Sequence, residues 1–308
     1  MPIFYVLILL LTSFLWGGNF VFSKFLVEHA SPMTLTILRW LIAIVLLLPL
    51  VLKKEKSLRI PKDSILPLFL MGFMGVVLFN MFQFLALART SATNVGLIST
   101  LNPISIAVSS ALLLHEKIKL PQIFSMMISL FGVLVVLSKG ELNQLISLHF
   151  NSGDLWMIAA VIVWGIYSVC GKWAMKKVSP LMATFYSGVF GVLTVMPFNL
   201  THFHIINVNT SFISAILYTG VISTVVCMLL WNMGVQKIGA TNSGIFLNFN
   251  PIFTAILAFF ILNEQMTWTE LLGSIIVITG CYLFSFFGSK EKKIQVKAIH
   301  EKAIVHGD

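Results

Sequence analysis

Long apolar runs separated by brief polar punctuation dominate this chain. From Val178 to Gln236 no Asp, Glu, Lys or Arg occurs, and from Ser64 to His115 only Arg89 does. Each stretch is long enough for two bilayer crossings of about 20 residues. Lipid offers no partner to backbone N–H and C=O groups, so spanning segments must bond internally. No stretch alternates in polarity as a transmembrane β-strand does. Loop signals and charge gaps predict ten helices near 4–24, 33–52, 65–87, 92–114, 120–138, 154–175, 181–199, 212–233, 240–262 and 269–288. The fold class is all-α and integral to the membrane.

Composition agrees and then adds direction. The 308 residues are 58% hydrophobic and 10% charged, against about 25% charged in soluble proteins, which excludes a soluble enzyme. The first apolar run lacks a basic leader and a small-residue cleavage site, so it reads as a retained span. Ten spans put both termini on one side. On that side fall Lys53, Lys54, Lys56, Arg59, Lys62, Lys117, Lys119, Lys172, Lys176, Lys177, Lys237 and the five lysines of the tail. The positive-inside rule makes that side cytoplasmic, in a multi-pass cell membrane protein. Topology therefore accounts for the basic balance, and nucleic acid is not called for. The 289–308 segment reads as a disordered basic cytoplasmic tail drawn to anionic lipid. Cys170, Cys227 and Cys281 read as small apolar core residues. His202 and His204 lie in a loop with no third ligand nearby, so no metal site is expected.

The chain repeats itself. A shift of 148 residues, without a gap, aligns Trp16 with Trp164, Lys24 with Lys172, Ser31-Pro32 with Ser179-Pro180, Asn102-Pro103 with Asn250-Pro251, and Glu116 with Glu264. Between 92 and 116, 10 of 25 positions are identical to their counterparts. Five spans per repeat is an odd number, so the second repeat enters the membrane from the opposite side. Charge follows: the 53–62 loop carries five basic residues and its counterpart near 201–210 none. Two inverted five-helix repeats, 3–138 and 154–288, form the architecture of secondary transporters, in which a midplane site opens alternately to each side.

The motif Trp16-Gly17-Gly18-Asn19 leading to Lys24, Arg39 in the second span, Ala86-Leu87-Ala88 before Ala92-Thr93-Asn94, Asn102-Pro103 and then Glu116 resembles the EamA-like permeases of the drug/metabolite transporter superfamily. The resemblance runs over about 3–288. It implies ten helices in two EamA repeats, a bacterial inner or plasma membrane, and export of amino acids or other small metabolites. Substrates differ among members. One position departs from the duplication, with Ser187 standing where the first half has Arg39.

Candidate cavity residues follow from helical phase. Trp16, Asn19, Phe20, Ser23 and Lys24 share one face, matched by Trp164, Tyr167, Ser168, Gly171 and Lys172. In the fourth span Asn94, Asn102, Ser105 and Ser109 fall within an arc of about 80°, and Asn242, Asn250 and Thr254 repeat it. Asn80, Gln83, Trp231 and Asn232 add polar and aromatic groups. Lipid-facing amides are costly, so these faces turn inward, either to line a cavity or to bond neighbouring helices. Arg39 is the one charge deep in a span. It either binds a substrate carboxylate or phosphate, or snorkels outward and steadies the fold. Lys24 and Lys172 sit where helix dipoles favour cations.

No Asp or Glu is expected deep in a span and no carboxylate is expected to be buried, which points to facilitated efflux, exchange or weak coupling. Glu116 and Glu264 are expected to pair with lysines or cap the next helix. No catalytic set is present: HExxH, GxSxG and a P-loop are all missing. A channel would ordinarily use an oligomeric filter or charged ring. The expected partners are a small-molecule substrate and the bilayer, without a cofactor; no oligomeric state follows. Arg39 and the amides suit a zwitterion such as an amino acid, and Trp16, Trp164, Tyr167 and Trp231 suit an aromatic or heterocyclic group. Nucleobases, organic anions and drug-like compounds are the alternative solutes.

Overall fold

The computed structural model describes residues 3–55, 58–115, 118, 120–137 and 151–305. Their regular structure is helical, with one isolated antiparallel bridge between Ala30 and Ile205. The helical runs are α1 Ile3–Leu26, α2 Pro32–Lys54, α3 Lys62–Leu87, α4 Ala92–Leu114, α5 Leu120–Leu137, α6 Ser152–Ala174, α7 Pro180–Asn199 and α8 Thr210–Ile238. They continue as α9, made of Ala240–Gly244, Ile245–Phe249 and Asn250–Leu262, and α10 Trp268–Val305. Among the described residues eight helices are long and apolar enough to cross a membrane. Two shorter apolar helices, Leu120–Val136 and Trp268–Phe284, accompany them.

Local chemistry recurs at the 148-residue offset. Ser31 and Ser179 cap α2 and α7, their hydroxyls accepting from the backbone N–H groups of Thr34 and Met182 at 3.2 and 3.1 Å. The prolines that follow occupy the first helical turn, where no N–H is needed. At the far ends of α4 and α9, His115 and Asn263 take left-handed backbone angles, φ 55° and 54°, and stop the helices. Inside α3 and α8 the helix widens to π geometry over Gly72–Leu78 and Tyr218–Val226. Inside α4 and α9 it tightens to 3₁₀ geometry over Ser99–Leu101 and Ile245–Phe249, just ahead of Asn102-Pro103 and Asn250-Pro251.

Small residues let the helices close on one another. A Cβ on Gly17 would lie 2.7 Å from Cβ of Phe253, and one on Gly165 would overlap Oγ of Ser105. These equivalent seams, α1 on α9 and α6 on α4, accept only glycine, as close packing in lipid requires. Ser129 Oγ donates to the Val277 carbonyl across α5 and α10 at 3.2 Å, joining two positions 148 residues apart.

Two expectations change. The segment expected to be a disordered tail continues α10 to Val305. Its Lys, Glu, Gln and Ala residues are good helix formers, and no Gly or Pro intervenes before Gly307. A carboxylate is also buried: Asp154, in the first turn of α6, is 3% exposed and accepts from Thr90 Oγ1 at 2.8 Å. It sits at a helix end, where the dipole favours an anion. Glu116, Lys117, Lys119 and Lys139 lie outside the described residues.

Candidate functional site

Arg39 enters the protein rather than snorkelling. It is 5% exposed, and its hydrogen-bond partners among the described residues are all neutral. Nε donates to Thr224 Oγ1 at 3.0 Å and Nη1 to Asn80 Oδ1 at 2.8 Å. Nη2 donates to Asn19 Oδ1 at 3.1 Å, to Ser223 Oγ at 3.2 Å and to the Thr219 carbonyl at 3.4 Å. No carboxylate pairs with it among the described residues. Hydrogen bonds to a charged group contribute about 1.5–3 kcal/mol each. They offset a desolvation cost of several kcal/mol, and they leave the positive charge itself uncancelled.

The π segments make this cradle. Widening α8 exposes the Thr219 carbonyl, which accepts from both Thr224 Oγ1 and Arg39. It also frees the Ser223 carbonyl, which accepts from Trp16 Nε1 at 3.1 Å. In α3, Asn80 Nδ2 donates to the carbonyls of Gly75 and Val76 at 3.0 and 2.8 Å, which fixes Oδ1 toward Arg39. Asn19 Nδ2 donates to Gln83 Oε1 at 3.3 Å, and Ser223 Oγ donates to Asn19 Oδ1 at 2.8 Å. Wide turns of this kind recur at functional sites because they release backbone groups.

Opposite the cradle, aromatic rings converge. Trp16 and Trp164 meet edge to face with centroids 5.3 Å apart, and Trp231 lies 5.7 and 5.8 Å from them. Phe79 and Tyr167 each stand 4.9 Å from Trp164. Between cradle and rings lies a cavity of about 40 Å³. A water needs roughly 10–15 Å³ by this measure, so the space holds a few waters and no metabolite. Several buried groups here have no partner: Asn102 Oδ1, Asn250 Oδ1 and Trp164 Nε1 on the cavity wall, with Trp231 Nε1 behind it.

Nine of the sequence candidates line this cavity: Trp16, Asn19, Phe20, Arg39, Asn80, Gln83, Asn102, Trp164 and Asn250. Tyr167, Trp231 and Asn232 stand behind them, Asn232 donating to Tyr167 and to Thr184 Oγ1 at 2.9 Å. Asn94 and Asn242 are elsewhere, bonding Thr90 Oγ1 and the Ile238 carbonyl at helix starts. Ser105 and Ser109 face a separate groove. The 3₁₀ turn at Ser99–Leu101 advances each residue by about 120° instead of 100°, so Asn94 before it loses phase with Asn102, Ser105 and Ser109 after it. Ser223, Thr224, Phe79 and Trp40 were missed. A hydroxyl pair in an apolar helix looks like self-bonding until a cation is placed beside it.

The lysine and glutamate at the helix ends are structural. Lys24 Nζ donates to the Thr90 carbonyl at 2.8 Å and to that of Leu87, closing the end of α3. The Glu264 carboxylate accepts from the N–H groups of Ala92 and Thr93 at 2.9 and 3.0 Å, capping α4 in the other half of the chain rather than the next helix.

The profile of the EamA-like transporter family matches residues 3–138 and 151–286. An uncharacterized transporter of Archaeoglobus fulgidus is 29% identical over 279 residues, covering 90% of this chain and 96% of its own. The uncharacterized transporter YyaM of Bacillus subtilis is 27% identical, covering 87% and 89%. An S-adenosylmethionine/S-adenosylhomocysteine transporter of Chlamydia trachomatis is 25% identical, covering 90% and 88%. A protein of known crystal structure superimposes with a TM-score of 0.68 at 17% identity, over 93% of this chain and 99% of that one, a likeness of fold.

Proposed function

Because this chain belongs to the EamA-like transporter family, we propose that it carries a small carboxylate-bearing metabolite of amino-acid type across the bacterial cell membrane by alternating access. The observation that carries this reading is the buried Arg39 charge with only neutral partners, facing a cavity whose other walls hold unpartnered amide oxygens and an indole N–H. A substrate carboxylate supplies the missing negative charge, and its ammonium or amide N–H groups supply donors to Asn102 and Asn250. The cavity as it stands is too small for a metabolite, so loading requires the two halves to part on one side.

In this reading the ten helices are ten spans in two inverted repeats, 3–138 and 154–288, with both termini cytoplasmic. Export is the direction that the family resemblance implies. Coupling is by exchange or a substrate gradient, since among the described residues no carboxylate lines the cavity. The tryptophan cluster favours a substrate that also bears an aromatic or heterocyclic group. The adenosyl substrates named for the Chlamydia trachomatis relative have that form.

Counterflow in proteoliposomes against amino acids, nucleobases and organic acids tests the reading. The expected result is saturable, trans-stimulated exchange of carboxylate-bearing solutes, with their methyl esters excluded. Arg39→Gln should lower it about 100-fold, the equivalent of ~2.7 kcal/mol. Folded protein with no counterflow over the whole panel would sink the proposal.

A further inference from the structure

A second, larger cavity of about 450 Å³ opens sideways between α4 and α6, with α5 on its third side. Leu101, Val108 and Leu112 of α4 and Ile158, Ile162 and Ile166 of α6 line it, and its surface is almost wholly apolar. The other half of the chain shows what fills such a place. At the 148-residue offset Ser105 corresponds to Phe253 and Ile162 to Phe14. Phe14 and Phe253 pack edge to face with centroids 5.2 Å apart, plugging the α1–α9 seam. On the α4–α6 seam the same two places hold Ser105 and Ile162, and Ser105 Oγ turns down to the Ile162 carbonyl at 3.3 Å. Two rings are thus missing from an otherwise equivalent joint.

Position says what takes their place. The groove follows α4 from Leu101 to Leu112, about 17 Å at 1.5 Å per residue, from the middle of the helix almost to its end at Leu114. One leaflet of the hydrocarbon core is about 15 Å deep. Trp173, seven residues beyond Ile166 on the same stripe of α6, is 43% exposed and lies about 10 Å further along the helix axis. An exposed tryptophan at that point marks the headgroup level. Leu112 and Ile162 are 71% and 55% exposed, so the groove is continuous with the lipid-facing surface.

We propose that this groove is a binding site for one acyl chain of a membrane phospholipid, which completes the α4–α6 joint as Phe14 and Phe253 complete the α1–α9 joint. The lipid lies behind α6, with Ile162 and Ile166 against it and Trp164 turned to the central cavity. The bound chain therefore steadies the helix that carries part of the candidate substrate wall.

Native mass spectrometry of the full chain in mild detergent tests this. The expected result is one phospholipid retained per chain in the wild type. Ser105→Phe/Ile162→Phe, which copies the other half, should reduce that retention at least five-fold. Retention unchanged in a folded double variant overturns the proposal. A benzophenone amino acid at Leu112, compared with one at the lipid-facing Leu193, decides the matter if the double variant misfolds. After purification, adducts to phospholipid acyl chains at Leu112 well above those at Leu193 support the site; equal yields, or adducts only to detergent, overturn it.

Discussion

Trp16 and Trp164 occupy equivalent positions in the two halves and differ in one hydrogen bond. The Trp16 indole donates to the Ser223 carbonyl, whereas the Trp164 indole has no partner. A buried donor left alone costs about 1–3 kcal/mol, so its retention fits a group meant for a ligand. The two conservative variants separate these roles, because the lost ring volume is the same in both. Trp16→Phe should lower the melting temperature more, having orphaned a carbonyl. Trp164→Phe should melt higher than Trp16→Phe and yet raise the KM for transport about ten-fold, ~1.4 kcal/mol. Transport by Trp164→Phe indistinguishable from wild type would remove that indole from the site. Much at this scale was legible in the chain: Arg39, Asn102 and Asn250 stood out as polar groups in apolar helices. What Arg39 touches was not legible, since its Thr and Ser partners come from a helix about 180 residues away.

Elements depart from ideal geometry at matched places, and those departures decide which side chains meet. A π turn in α3 and α8 and a 3₁₀ turn in α4 and α9 shift the phase of everything beyond them. Glycine and proline mark the neighbourhoods, but neither turn can be phased from a uniform 100° wheel. That is why Asn94, before the 3₁₀ turn of α4, and Asn102, after it, do not share the wall that a uniform wheel gives them. Helix ends are more readable, since Ser-Pro starts and terminal cations follow local rules. Glu264 shows the limit of such rules: its carboxylate caps a helix brought alongside by the fold. Glu264→Gln should destabilise the protein by about 1 kcal/mol, as loss of a cap does. The pH dependence of transport should stay as in the wild type. Normal melting together with an altered pH profile would make Glu264 a coupling group instead.

At the scale of the whole molecule, the contacts respect the 148-residue offset in the glycine seams, the serine caps and the Ser129–Val277 bond. The Arg39 cradle does not, because Ser187 holds the equivalent place and bonds within its own helix. A pseudo-symmetric frame thus carries an asymmetric site, which suits a substrate with unlike ends. The ten-span reading makes a simple prediction. Epitope tags at the N-terminus and after Asp308 should both be shielded in intact cells and both be reached once the membrane is opened. Tags on opposite faces would require an odd number of spans and would end the inverted-repeat scheme.

Solvent, repeat and orientation of the charge bias are written along the chain, because apolar length, duplication and loop charge are properties of neighbours in sequence. Their reading needs no partner from elsewhere. The small central cavity, the neutral cradle around Arg39, the buried Asp154 and the groove behind α6 are set only by packing. Each joins groups far apart in the chain, and the cradle also depends on the wide turn in α8. Local pattern determined that this protein lives in lipid as a doubled helical unit; tertiary contact decided where Arg39 points and which polar groups are left for a ligand.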